Sequence, residues 1–119
     1  MPQYGVLVYA LAPADPLALT PEHLELLNQY PARAKDLGGK VLGGSYFPEQ
    51  RGFAFEPSTT AIRGETVSDG SLVQSELVPA AFFVVSAPNL DVAVQIAGAH
   101  PAARDGGVEV RPLFVPPAG

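Results

Sequence analysis

The run from Ala80 to Pro112 constrains this chain more than any other stretch, because three periodic segments follow one another there with almost nothing between them. Ala80 to Val85 is a short apolar run containing Phe82-Phe83-Val84-Val85, the length and composition of an interior strand. Asn89 can cap a helix in which Leu90, Ala93, Val94 and Ala97 keep the i, i+3, i+4, i+7 spacing of a buried face, and that helix is expected to end before Pro101. After a loop, Val108 and Val110 alternate with Glu109 and Arg111 in a last strand that Pro112 brings to a stop. A strand, a helix laid on one sheet face and a returning strand leave few architectures open.

The first half supplies matching parts. Tyr4 to Leu11 is a nearly unbroken apolar run and reads as a central strand covered on both sides. Residues 12–19, with Pro13 and Pro16, read as a loop, and Thr20-Pro21-Glu22 is a helix start with Thr as N-cap and Pro at the first helical position. Leu24, Leu27, Ala34 and Leu37 form the expected buried stripe of that helix, and Gly38-Gly39 end it. Pro31 falls inside the stripe and lacks an N–H, so the helix is expected to kink there or to stop and restart.

Lys40 to Phe47 reads as a second strand, residues 48–52 as a turn and Phe53 to Phe55 as a short extension. Residues 59–63 and Thr66 to Ser68 flank Gly64-Glu65, a hairpin tip, and Asp69-Gly70 makes the next turn. The order β-α-β-β-(α)-β describes an α+β fold of the split βαβ, ferredoxin-like kind: two helices cover one face of the sheet and the other face needs cover.

A length of 119 residues fits a single domain, residues 1–119, that buries roughly two thirds of the surface its unfolded chain exposes. Charged residues are 16% against a usual value of about 25%, while hydrophobic residues reach 47%, so part of the apolar surface is expected to lie against a partner. A net charge of -5 with a pI near 4.8, and basic residues scattered from Arg33 to Arg111, argue against nucleic-acid binding. With no cysteine there is no disulfide scaffold and no thiolate metal site. The apolar start is broken by Pro13, Asp15 and Pro16 before it could span a bilayer and has no basic leader in front of it, so no membrane association and a cytoplasmic location are expected.

Several of these segments together resemble the YCII-related, DGPF-domain family. The matching pieces are Thr59-Thr60-Ala61-Ile62-Arg63, Ser68-Asp69-Gly70, Phe82-Phe83-Val84-Val85, Asn89-Leu90-Asp91, His100-Pro101 and Val108-Glu109-Val110-Arg111-Pro112. The resemblance implies a ferredoxin-like subunit whose sheet pairs with a second copy into a dimeric α/β barrel. The wider superfamily to which it is similar includes lactone isomerases, dehalogenating relatives and small monooxygenases, and some relatives are fused to sigma factors. The chain departs from the family at two places. Asp-Gly-Pro-Phe stands here as Asp69-Gly70-Ser71-Leu72 followed by Gln74 where an acidic residue is usual, and the first-helix histidine of many relatives falls near Tyr30-Pro31.

Four residues are candidates for a site. His100 follows an apolar helix and belongs to the side-chain type that titrates near neutrality, so it is a candidate acid–base residue; the competing reading has it facing the negative end of the helix dipole. Asp69 offers a carboxylate, set against the frequency of Asp-Gly in plain turns. Tyr4, Tyr9, Tyr30 and Tyr46 each combine an aromatic body with a polar tip that could line a ligand cavity, set against simple packing, and of these Tyr9 and Tyr46 are the candidates. His23 reads as a first-turn surface residue. Ser45 and Ser71 lack a nucleophile motif, no spacing of His or acidic residues makes a metal site, and the glycine pairs do not make a phosphate loop, so no cofactor is expected.

The sequence thus leads to an expectation of a homodimer that binds a small molecule in a cavity near the sheet or the dimer interface. The alternatives are an isomerase or lyase on a small oxygenated ring compound, with His100 or Asp69 as acid–base residue, and an interaction accessory linked to transcription.

Overall fold

The structure is a computed structural model that describes residues 1–11, 21–46, 60–70, 72–73 and 75–114; within these, the side chains of Leu11, Glu22, His23, Leu24, Tyr46 and Asp105 are not described. The expected loop over 12–19, the Thr20 cap, the turn and strand extension over 47–58, and Ser71 and Gln74 therefore lie outside the described residues.

The described residues form a mixed α+β fold. Strand β1 (Gln3–Leu11) leads to helix α1 (Pro21–Asp36), which is followed by β2 (Lys40–Tyr46), a hairpin of β3 (Thr60–Arg63) and β4 (Thr66–Asp69), and β5 (Leu77–Ser86). Helix α2 (Leu90–Gly98), a short helix α3 (Ala102–Asp105) and β6 (Gly107–Pro112) complete it. Four strands make one antiparallel sheet in the order β2-β5-β1-β6, and β3 pairs with β4 in a separate two-stranded sheet. The four-stranded order is compatible with the expected split βαβ arrangement.

Strand alternation decides what each sheet face carries. In β1, Tyr4, Val6 and Val8 are buried, and their register partners Val85, Phe83 and Ala81 in β5 are buried with them. These residues join Tyr30 and Ala34 of α1 and Ala93, Ile96 and Ala97 of α2 in one core, so the helices lie on this side. On the opposite face, Gly5 and Leu7 are only half-buried and pair with Val84 and Phe82. The expectation that β1 is covered on both sides is met on the helix side alone among the described residues.

Strand β5 is longer than the apolar run from Ala80 suggests, because it begins at Leu77 and takes in Pro79. A proline deep in a sheet removes a ladder hydrogen bond and is tolerated at bulges. The register supplies one: Val8 pairs with Ala81 and Tyr9 with Pro79, which leaves Ala80 as an extra residue.

Helix α1 neither stops nor restarts at Pro31, contrary to one branch of the sequence reading, and Pro31 is exposed on its outer side. Proline in a helix interior costs about 3 kcal/mol, and here Tyr30 and Ala34 pin the turns before and after it to the core. The helix ends at Gly38, whose φ is 101°. The Gly38 N–H donates to the Lys35 carbonyl at 3.1 Å and the Gly39 N–H to the Ala34 carbonyl at 3.0 Å, the paired bonds of a Schellman motif.

Helix α2 begins as its sequence suggests, with the Asn89 side chain accepting a hydrogen bond from the Val92 N–H at 2.9 Å. Its buried face differs from the expected one. Ala93, Ile96 and Ala97 are buried, whereas Leu90 and Val94 are 48% and 51% exposed. The stripe 93, 96, 97, 100 has the same period as 90, 93, 94, 97 but is turned about the axis, and it carries His100 into the core. Small Ala93 and Ala97 let the helix settle close to the sheet, and Ile96 supplies the bulk.

The hairpin agrees with its reading. Gly64 has φ 63° and Glu65 is not in the positive-φ region, which is the pattern of a type II′ turn joining Arg63 to its partner Thr66. The segment after Pro101, read as a loop, contains α3.

Candidate functional site

The strongest of the sequence candidates, His100, sits in the joint between α2 and α3. Its backbone N–H donates to the Ala97 carbonyl at 3.1 Å and its own carbonyl accepts from the Ala103 N–H at 3.0 Å, so one residue closes the first helix and opens the next. The side chain is 3% exposed. Nδ1 accepts a hydrogen bond from the Ala102 N–H at 3.1 Å. A backbone amide can only donate, so this contact requires a lone pair on Nδ1, and a neutral ring then carries its proton on Nε2. The ring thus serves as acceptor for the first amide of α3.

Two aromatic rings hold the imidazole. The Tyr30 ring meets it edge to face, with centroids 4.9 Å apart at 77°, and the Phe83 ring lies 5.8 Å away at 43°. Tyr30 and Phe83 also pack on each other at 5.6 Å, which closes a three-ring cluster between α1, β5 and the end of α2. Such tilted and edge-on arrangements place the positive ring edge against a neighbouring π-face. The Tyr30 hydroxyl donates to the Ile96 carbonyl at 3.0 Å, so the polar tip of this 1% exposed side chain is satisfied inside the core.

Among the tyrosines, sequence reasoning favours Tyr9 and Tyr46 over Tyr30, although the helical period points to Tyr30: it lies three residues after Leu27 and four before Ala34. The adjacent Pro31 draws attention to a break, and Tyr30 is the side chain that holds the helix together there.

The other candidates are dispersed. Tyr9 is half-buried near the end of β1, and by alternation with Val8 it faces away from the helices, on the side opposite His100. Tyr46 pairs with Ala81 at the end of β2, and its side chain lies outside those described. Asp69 is exposed at the end of β4 in the separate small sheet, and no hydrogen bond or ion pair joins it to His100 among the described residues. His23 lies in α1 with its side chain outside those described. No group of three or more His, Asp or Glu side chains arranged to hold a metal ion occurs among the described residues.

The face of the four-stranded sheet turned away from the helices has its own character. Leu7 pairs with Phe82 across β1 and β5, and Phe82 is 41% exposed. On β6, Glu109 is the register partner of Leu7 and Arg111 of Gly5. The Arg111 guanidinium donates to Glu109 Oε2 through both Nε and Nη2, at 3.2 and 3.1 Å. An apolar strip along β1 and β5 is thus bordered by a charged pair on the edge strand. No described helix is long and apolar enough to cross a membrane.

Fold and surface together define an antiparallel four-stranded α+β domain with helices on one face. No family model matches the sequence, and no curated protein matches it.

Proposed function

We propose that this chain works as a homodimer joined through the sheet face turned away from the helices, and that it binds a small molecule in a cavity near that sheet or at the interface between the two copies. One observation carries the reading: the cross-strand pair Leu7–Phe82, with Val84 beside it, leaves a 41% exposed phenylalanine in the middle strands of the sheet instead of at its edge. A protein interface of ordinary size buries about 800 Å² on each partner and is apolar at its centre with a polar rim. The Glu109–Arg111 pair supplies such a rim and is self-complementary under a two-fold axis, since the carboxylate of one copy can meet the guanidinium of the other. In this reading two ferredoxin-like subunits close into a barrel, the arrangement the family resemblance implies, and the dimer acts in the cytoplasm.

The isomerase or lyase alternative, with His100 or Asp69 as acid–base residue, would be favoured by two titratable groups converging in one cavity; His100 is packed between Tyr30 and Phe83, and Asp69 lies exposed on the separate hairpin. The interaction-accessory alternative draws on Ile62 and Val67, paired across the hairpin and each 65% exposed.

Native mass spectrometry of the freshly purified chain tests the proposal. The expected spectrum is a dimer, with a mass adduct that disappears on denaturation, and Phe82→Lys is expected to shift the population to monomer while circular dichroism stays unchanged. A monomeric wild-type chain at micromolar concentration would sink the dimer, and a dimer that retains no adduct and takes up none from a metabolite extract would sink the ligand cavity.

A further inference from the structure

The chain contains two Asp-Gly pairs, Asp69-Gly70 and Asp105-Gly106, and the fold places them in contrasting surroundings. A glycine after aspartate has no Cβ to shield its backbone nitrogen from the aspartate side chain, which makes both pairs chemically competent for ring closure. What differs is the freedom of each backbone to reach the reacting geometry.

Asp69 is the exposed last residue of β4, paired with Thr60 at the open end of the two-stranded sheet. Gly70 follows with φ 95°, and a methyl group placed on its Cα would meet nothing within 4 Å. No hydrogen bond or ion pair ties the Asp69 carboxylate to another described residue. A two-stranded hairpin is marginally stable by itself, so opening its last pair costs little.

Gly106 is held from two sides. Its N–H donates to the Ala102 carbonyl at 3.0 Å, closing α3. Its Cα is pressed on β1, where an added methyl would run into the Tyr9 carbonyl and come within 3.0 Å of the Ala10 Cα. For the Gly106 nitrogen to attack, it must give up that hydrogen bond and move a segment wedged against the central strand.

We propose that Asp69-Gly70 is a site of spontaneous backbone isomerisation to isoaspartate and that the fold protects Asp105-Gly106 from the same reaction. The Gly70 nitrogen forms a bond to Asp69 Cγ, and a carboxyl oxygen leaves as water, carrying the amide proton and one proton from solvent. The resulting five-membered succinimide then takes up one water. Opening at the side-chain carbonyl restores aspartate; opening at the main-chain carbonyl leaves the chain running through Cβ and Cγ, with the α-carboxylate as the new side group. Composition is unchanged and no oxidant or reductant takes part. The isomerised chain has one extra backbone carbon at the end of β4, which removes the Thr60–Asp69 register.

The test is incubation of the intact chain at neutral pH and physiological temperature, followed by peptide mapping with electron-transfer fragmentation, which separates the two isomers at each site. A parallel sample in denaturant gives the intrinsic rate of each pair. In native protein, isoaspartate is expected at 69 at least about tenfold faster than at 105, the ratio set by an opening cost of about 1.4 kcal/mol, and in denaturant the two rates converge. Asp69→Glu is expected to abolish the signal at 69 and leave 105 unchanged, because closure would need a six-membered ring. Equal native rates, a faster rate at 105, or absence of isoaspartate at 69 would each overturn the proposal.

Discussion

The hydroxyl of Tyr30 donates a hydrogen bond to the carbonyl of Ile96, 66 residues away in the chain, and so ties the middle of α1 to the last turn of α2. The same carbonyl also accepts from the Ala99 N–H at 3.1 Å, where α2 ends. The two helices are thereby fixed to each other as well as to the sheet, next to His100, which begins the turn into α3.

Tyr30→Phe keeps the ring that packs on Phe83 and His100 and removes only the hydroxyl. The Ile96 carbonyl retains its bond from Ala99, so the expected loss is about 1 kcal/mol, that of one net hydrogen bond. Urea denaturation should show the midpoint fall with an unchanged slope. A variant as stable as the wild type would mean that this bond contributes nothing to stability.

At His100 two substitutions separate packing from hydrogen bonding. His100→Leu leaves the Ala102 N–H without its acceptor and should cost about 1–3 kcal/mol, with faster hydrogen exchange at that amide. His100→Asn offers a side-chain oxygen that can reach an amide two residues on, so protection of the Ala102 amide should persist although ring contacts are lost. Equal protection at Ala102 in both variants would show that Nδ1 is not its acceptor.

Removing the α2 cap by Asn89→Ala should destabilise the protein by about 1 kcal/mol, whereas Asn89→Asp should be close to neutral. The Val92 N–H is the donor concerned. Thermal melts of both variants, compared at one pH, decide the point; an alanine variant that melts with the wild type would show that water replaces the cap without loss.

Gly44 and its neighbour Gly43 make a paired test. Gly44 has φ 138°, and an added methyl would run into the Phe82 carbonyl and the Phe83 side chain, so Gly44→Ala must push β2 away from β5. A loss of about 2 kcal/mol or more is expected. At Gly43 nothing lies within 4 Å of an added methyl, and Gly43→Ala should stay within about 0.5 kcal/mol of wild type. Similar urea midpoints for the two variants would contradict the backbone contact at Gly44.

Local chemistry made much of this chain legible. Gly38 as the end of α1, Asn89 as the cap of α2, the Gly64-Glu65 hairpin tip and the strands at Lys40, Phe82 and Val108 all follow from short-range rules that act within a few residues. The candidate site was less legible. His100 was visible as a histidine after an apolar helix, but its partners Tyr30, Phe83 and Ala102 come from three different elements. Tyr9 and Asp69 carried suitable chemistry, and the fold sets them on the far sheet face and on a separate hairpin.

The sequence by itself determined the element ends marked by caps and turns, at Gly38, Asn89 and Gly64-Glu65, and which segments are periodic, since capping, turn chemistry and hydrophobic spacing are properties of neighbouring residues. Only the tertiary structure decided which of two equivalent stripes α2 buries, because Leu90-Ala93-Val94-Ala97 and Ala93-Ile96-Ala97-His100 share one period and differ only in rotation about the helix axis. The same holds at Pro31 and Pro79, where the local rule says break and the packing of Tyr30 or a bulge at Ala80 lets the element continue. Contacts between residues far apart in the chain made those choices, and a local pattern does not contain them.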